Sequence, residues 1–405
     1  MRTQINVKYL DHPDIQEADS ILRSCVHCGF CTATCPTYQE LGDERDGPRG
    51  RIYLIKQLLE TGEISEKSQT HLDRCLTCRS CETTCPSGVK YGRLAEIGRE
   101  IMEQQLERPF KQKLLRWTVR KVLPYPSRFG PLLRLGQWGR PLLPKALKTK
   151  VPARQTPISW PESRHERRML VLGGCAQSSA TPNTNAVAAR VLDKLGISLF
   201  AAPEAGCCGA VSYHLSAHEE GLAFMRRNID AWWPHIEAGA EAIVISASGC
   251  GAMVKEYGEK LGQDPDYAAK AQRVSELARD LGEVLVKEDL SQLQLQTEGR
   301  KTAVHCPCTL QHAQQLGGQV EQILQKAGLE LTRTRDKHLC CGSAGTYSIF
   351  QPEMSKKLLA NKLEALTIDN PEQIVTANIG CQLHLGSQSK VPVKHWIELL
   401  DPASS

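Results

Sequence analysis

Apolar residues follow two different rhythms along this chain of 405 residues. In the first hundred residues, RGRIYLIKQLLETG (49–62) spaces its apolar side chains as one face of a helix, and there is little β-branched alternation around it. From Arg167 onward, short apolar runs alternate with amphipathic stretches. RRMLVLGGC (167–175) reads as a strand ending in cysteine, NTNAVAARVLDKLG (183–196) as a helix closed by glycine, and ISLFAAP (197–203) as a second strand. SAHEEGLAFMRRNIDAWW (216–233) is helical, and AEAIVISASGC (240–250) is a third strand that again ends in cysteine. Strands alternating with helices predict a parallel sheet with right-handed crossovers, whose ligands sit beyond the carboxyl ends of the strands.

That pattern occurs twice. Cys175, Cys207 and Cys208 recur at a constant offset of 133 as Cys308, Cys340 and Cys341, and Cys250 recurs at an offset of 131 as Cys381. The text between agrees in kind: RVLDKLGISL with QILQKAGLEL, AGCCGAVSY with HLCCGSAGTY, and VISASGCG with VTANIGCQ. The expected fold is therefore α+β and multidomain. A helical domain over 1–108 and a segment over 109–166 precede two repeated α/β units with parallel sheets, over 167–298 and 299–405. Four thiols are expected to converge in each repeat, as ligands of a cubane, as ligands of a more open iron–sulfur cluster bridged by adjacent cysteines, or as a reactive dithiol. Cys306, in HCPC, adds a further thiol to the second half only.

The helical domain carries its own chemistry. CVHCGFCTATCP and CLTCRSCETTCP are one string, C-x2-C-x2-C-x3-C-P, written twice and fifty residues apart. In ferredoxins of this spacing three thiolates hold one cluster, and the fourth, followed by proline, ligates the other. Cys25, Cys28, Cys31 and Cys85 are thus expected on one 4Fe–4S cluster, and Cys75, Cys78, Cys81 and Cys35 on a second. Zinc also binds C-x2-C pairs, but it needs two pairs and stops at four ligands, whereas each string here offers a third cysteine at the same step and a fourth before proline. The domain is expected to be a helical two-cluster ferredoxin.

Seventeen cysteines in a chain whose opening MRTQINVKYLDHPDIQEADS has no apolar core of a signal peptide point to a reducing cytosol rather than to a disulfide framework. The net charge of +5 hides an asymmetry: between Lys111 and Arg154 there are twelve Lys or Arg and no acid. Trp117, Tyr125, Phe129 and Trp138 interleave with these cations, and Pro124, Pro126, Pro131, Pro141 and Pro144 are expected to break the segment into short pieces. Such pieces suit either an anionic membrane interface or a linker packed on its neighbours. Nucleic acid is not expected, because no binding motif accompanies the charge.

The doubled cysteine string followed by doubled CCG repeats resembles the iron–sulfur subunits of flavin-linked 2-hydroxyacid and glycerol-3-phosphate dehydrogenases, and the CCG subunits of heterodisulfide reductases. CVHCGFCTATCPTYQ, DGPRGRIYLIKQ, EAGCCGAVSYHL, SGCGAMVKEYG, HCPCTLQHAQ and TANIGCQLHL are similar, over nearly the whole chain, to the glycolate oxidase iron–sulfur subunit family. The resemblance implies FAD-bearing partner subunits that oxidise glycolate to glyoxylate, and a chain that passes their electrons onward. Quinone is the expected acceptor where the basic segment lies on the membrane, with the chain peripheral on the cytoplasmic face of the inner membrane. The chain shows no G-x-G-x-x-G or phosphate-loop motif, so FAD is expected only on the partners. It departs from heterodisulfide reductases in its closing strings, GCGAM and GCQLH, which hold one cysteine each.

No catalytic residue is expected on this chain. His305, His338 and His384 flank the second set of repeat thiols, and Arg45, Arg49 and Arg51 lie between the cysteine strings, where a cation can raise a cluster's potential. Two alternatives remain at this level: a subunit of a lactate or glycerol-3-phosphate dehydrogenase, and a non-enzymatic iron–sulfur sensor or scaffold.

Overall fold

The computed structural model describes residues 1–144, 148–295 and 299–402. The chain divides into two compact units, one of Met1–Leu115 together with His338–Lys362, the other of Arg116–Lys337 together with the chain from Leu363 onward.

The first unit is helical. Ile15–Ser24 buries Ile15, Ala18, Ile21 and Leu22, one stripe at helical spacing. Pro48–Thr61 starts on Pro48, where the missing N–H costs nothing, buries Ile52, Ile55, Leu58 and Leu59, and stops at Gly62 in left-handed conformation. Glu66–Asp73 is capped by the Ser65 hydroxyl, which accepts from the Ser68 N–H. Tyr91–Gln105 completes the core with Leu94, Ile97, Ile101 and Met102. It crosses Pro48–Thr61 at Gly98, where a Cβ would stand 2.8 Å from Ile55.

The second unit holds two parallel sheets. In the first, strands β1 (Arg167–Val171), β2 (Ile197–Ala201), β3 (Ile243–Ile245) and β4 (Ala278–Asp280) lie in the order β2-β1-β3-β4, with Leu170 paired to Ile243 and Ile243 to Ala278. In the second, β5 (Thr302–His305), β6 (Gln373–Thr376) and β7 (Val393–His395) lie in that order, and a single parallel bridge from Thr302 to Leu331 stands where β2 stands in the first sheet. Both faces of the first sheet are covered, which is why β1 and β3 are nearly continuous apolar runs. Leu170, Leu172, Ile243 and Ile245 face one core. Met169, Val171 and Val244 face another, which Val304 and Val375 of the second sheet share. The repeat expected from the sequence is thus two parallel sheets joined through one core.

The basic segment is more ordered than its prolines suggest. Phe110–Val122 and Pro126–Trp138 are helices. Pro126 occupies the first turn of its helix, and Pro131 lies inside that helix rather than ending it. The second of these helices packs on the short helix Ala176–Ala180 that follows Cys175, with Gly130 against Ser179. Among the described residues, no helix is long and apolar enough to cross a membrane.

Candidate metal centres

The two cysteine strings fold into matching loops. Each leaves the regular backbone at the same two steps: His27 (φ 57°) and Gly29 (φ 89°) in the first, Thr77 (φ 52°) and Arg79 (φ 60°) in the second. Three of these four carry a Cβ, and left-handed backbone costs such residues about 1 kcal/mol each. Left-handed steps of this kind are used around phosphate and iron–sulfur groups to aim backbone N–H groups at the bound group, and in the second loop Thr77 N–H donates to Cys75 Sγ. Cys35 and Cys85 end their strings just before Pro36 and Pro86, and Pro36 opens a helix at its first position.

The thiols group across the strings. Around Cys31 stand Cys25, Cys85 and Cys28, and with burial they push its pKa up to about 11. Cys25, Cys28, Cys31 and Cys85 line one cavity, together with Arg49, Pro86 and Tyr91, and Cys81 of the second string reaches its wall. Around the buried Cys81 stand Cys78, Cys75 and Cys35, which with burial push its thiol well up. No cysteine forms a disulfide. Two sets of four sulfur donors in strained loops fit a pair of metal clusters, each bringing a positive charge that thiolates crowded this closely need.

The surroundings of the two sets differ. Cys28 is exposed, with Val26 and Phe30 exposed beside it. Arg49 pairs with Glu44 at 2.6 Å and gives its backbone N–H to Cys31. Arg45 is exposed and paired with Asp43 at 2.7 Å. Arg51, by contrast, is 1% exposed: its Nε donates to the His71 carbonyl at 2.7 Å and its Nη2 to the Thr37 hydroxyl at 3.1 Å, and Asp46 lies at 3.5 Å. Arg99 donates to the carbonyls of Leu72 and Cys75, each at 2.7 Å, and to the Thr77 hydroxyl at 2.9 Å. Tyr91 O–H and Thr77 N–H both donate to Cys75 Sγ at 3.4 Å. Burial pushes the Cys75 thiol up, but Arg51, Arg99 and these donors outweigh it and hold Cys75 below the ordinary thiol value.

In the first repeat, the thiols beyond the sheet stand close enough to act on one another: Cys175 on Cys207, Cys207 on Cys208 and Cys208 on Cys250, and Cys175, Cys207 and Cys208 are all pushed well up by this crowding and by burial. Asn228 Nδ2 donates to the Cys207 carbonyl at 2.8 Å and Tyr257 O–H to that of Cys208 at 2.9 Å, which fixes the turn. Gly209 comes next at φ 90°, and a Cβ there would stand 2.7 Å from the Gly221 carbonyl oxygen. Gly342 repeats this at φ 87°, with the Ser355 oxygen at 2.7 Å. The CCG glycine is thus required by conformation and by space. Phe224 and Tyr125, with ring centroids 5.4 Å apart, cover Cys175 and Cys207.

The cysteines of the second repeat are distributed over both units. Cys308 starts the turn Thr309–Ala313 after β5, as Cys175 starts its own helix after β1, and Cys381 lies in the helix Ile379–Gly386, where Asn378 Nδ2 donates to its sulfur at 3.5 Å. Cys340 and Cys341 are buried in the helical unit. Cys306 belongs to the apolar core with Val304 and Leu310, and burial and Glu321 push it up to about 12. His305 is buried at the end of β5, His384 lies in the helix Ile379–Gly386, and His338 opens the segment His338–Lys362. Arg99, Tyr91 and Asn228 were missed by sequence reasoning, since nothing in their spacing ties them to a cysteine string.

Comparison with known proteins agrees with this geometry. The 4Fe-4S dicluster domain matches residues 21–89, and the cysteine-rich domain matches twice, at residues 169–255 and 302–386. The glycolate oxidase iron-sulfur subunit of Escherichia coli (strain K12) is 58% identical over 404 residues, covering 100% of this chain and 99% of the relative. A protein of Bacillus subtilis (strain 168) described as "Probable glycolate oxidase iron-sulfur subunit" is 30% identical, over 99% of this chain and 98% of its own. Lactate utilization protein A of Bacillus velezensis is 26% identical, over 56% of this chain and 96% of its own. With two sulfur-lined loops, two cysteine-rich repeats and full-length similarity at this level, the chain belongs to the family of glycolate oxidase iron–sulfur subunits.

Proposed function

We propose that this chain is the electron-carrying subunit of a flavin-dependent complex that oxidises glycolate to glyoxylate, with one 4Fe–4S cluster on Cys25, Cys28, Cys31 and Cys85 and another on Cys75, Cys78, Cys81 and Cys35. The observation that carries this reading is the crossed grouping of the eight thiols in two strained loops. Such a cluster supplies one-electron chemistry, which divides the two-electron load of a flavin on a partner subunit. What the chain's own residues add is control: Arg51 and Arg99 hold positive charge beside Cys75, Tyr91 and Thr77 donate to its sulfur, and the packed helices exclude water. The thiols of the cysteine-rich repeats, Cys175, Cys207, Cys208, Cys250, Cys308, Cys340, Cys341 and Cys381, are redox or cluster ligands in this reading, and Cys306 is a core residue.

Contact with the membrane is part of the proposal. The helices Phe110–Val122 and Pro126–Trp138 lie in the stretch without acids and leave Trp117, Leu132, Leu135 and Trp138 exposed. Rings and aliphatic side chains at headgroup depth with cations on anionic lipid support peripheral association on the cytoplasmic face, with quinone as acceptor. The test is to purify the native complex and assay glycolate, lactate and glycerol-3-phosphate with an artificial acceptor, then to float it with anionic vesicles at low salt. Preference for glycolate and co-flotation are expected. Preference for either other substrate overturns the substrate, and failure to float overturns the membrane contact.

A further inference from the structure

The two CCG turns diverge after their glycine. The first reads CCGAVSY, only Gly209 in it has positive φ, and Tyr213 stays within its own unit, stacked on His218 at 4.3 Å with the Lys260 ammonium 4.2 Å from its ring centroid. The second reads CCGSAGTY, one residue longer between glycine and tyrosine, and Gly342, Ala344 and Gly345 have φ of 87°, 35° and 62°. Ala344 has a Cβ, so this backbone is held against a local preference, a condition that persists where surrounding structure gains from it.

What the longer turn changes is the aim of the tyrosine. Tyr347 is buried, and its hydroxyl donates to the carbonyl of Arg74, the residue before Cys75, at 3.0 Å. Cys75, Arg51, Cys340 and Arg99 all act on its phenol, and burial, the largest influence, pushes its pKa well up, so it stays a neutral donor. The segment His338–Lys362 that carries Cys340, Cys341 and Tyr347 belongs to the same compact unit as both cysteine strings, whereas Cys207 and Cys208 belong to the other.

We propose that Tyr347 is a positioning residue that couples the Cys340 turn to the Cys75 thiol set, making the turn that carries Cys340 and Cys341 a redox neighbour of the Cys75 cluster within the same unit. The inference rests on the reading that the Cys75 set holds a cluster. Its physical basis is twofold. The hydroxyl holds the peptide that leads into Cys75, and the buried ring keeps water from the space around Cys75 and Cys340, so a change of charge at one sulfur is weakly screened at the other.

The test uses the complete complex, with the two clusters followed separately by paramagnetic resonance during a redox titration. Tyr347→Phe, which keeps the ring, and Cys340→Ala should each shift the midpoint potential and the line shape of the Cys75 cluster and leave those of the Cys25 cluster in place. Tyr213→Phe, the matching change in the first repeat, should move neither. Wild-type potentials for both clusters in Tyr347→Phe and Cys340→Ala would overturn the coupling, as would an equal shift of both clusters, which marks general loosening. Should wild-type complex lack two 4Fe–4S signals, the cluster assignment itself fails. Two normal signals indifferent to Tyr347 reject this inference alone.

Discussion

The loop of Cys25, Cys28 and Cys31 and the loop of Cys75, Cys78 and Cys81 share their spacing and their left-handed positions, yet the first is rimmed by exposed Val26 and Phe30 with Arg49 alongside, while the second lies against Arg51, Arg99, Tyr347 and the hydroxyl of Tyr91. Equal spacing dictates equal ligand geometry. Potential is set by what surrounds the sulfurs, and there the loops diverge. Burial alone favours the less charged, oxidised form. At Cys75 that influence is outweighed by two guanidinium groups and two hydrogen-bond donors, so the second cluster is expected to have the higher potential of the two.

Arg51→Met is the most severe way to break this contrast. It leaves the His71 carbonyl and the Thr37 hydroxyl without their buried donor, and Asp46 with one cation fewer, at a cost of about 3 kcal/mol in line with broken buried pairs. A lower melting temperature and a lowered potential or incomplete loading of the Cys75 cluster, with the Cys25 cluster spectrally normal, are the expected results. An unchanged Cys75 cluster would show that Arg51 is structural only.

Metal removal probes the same contrast from outside. Because Cys28 is exposed while Cys75 and Cys81 are buried, chelator with a mild oxidant should strip the Cys25 cluster several-fold faster than the Cys75 cluster. Iron release and resonance signals followed together check the order. Simultaneous loss would mean that the buried side chains do not shield the second set.

The smallest effect is expected from Tyr91→Phe, which removes one donor to Cys75 Sγ and keeps the ring. A hydrogen bond to sulfur favours the reduced, more negative form. At about 1 kcal/mol its loss should lower the potential of the Cys75 cluster by about 40 mV for one electron. The Cys25 cluster should not move.

Much of this was legible in the sequence because spacing and hydropathy act locally. The strands at Met169–Val171, Ile197–Leu199 and Ile243–Ile245 declare themselves as apolar runs, and the fourth cysteine before proline is the sequence feature on which the proposed crossing rests. The strand Ala278–Asp280 is too short and too polar to read, and the counterpart of Ile197–Ala201 in the second repeat is reduced to one bridge at Leu331. The prolines of the basic segment mark a real break, since one helix ends at Val122 before Pro124 and the next begins at Pro126, but Pro131 misled, being accommodated inside its helix. Arg45, Arg49 and Arg51 look alike in the sequence. Only packing decides that Arg51 is buried beside Cys35 and Cys75 while Arg45 faces water. Tyr347 was not legible at all, because one inserted residue re-aims a side chain without altering any motif.

The central claim is that the fourth ligand of each string serves the other string's cluster. Paramagnetic resonance of the Cys85→Ser complex tests it most directly. The account predicts that the cluster of Cys25, Cys28 and Cys31 is lost or altered while that of Cys75, Cys78 and Cys81 keeps its signal, and a perturbed Cys75 cluster beside an intact Cys25 cluster would contradict it.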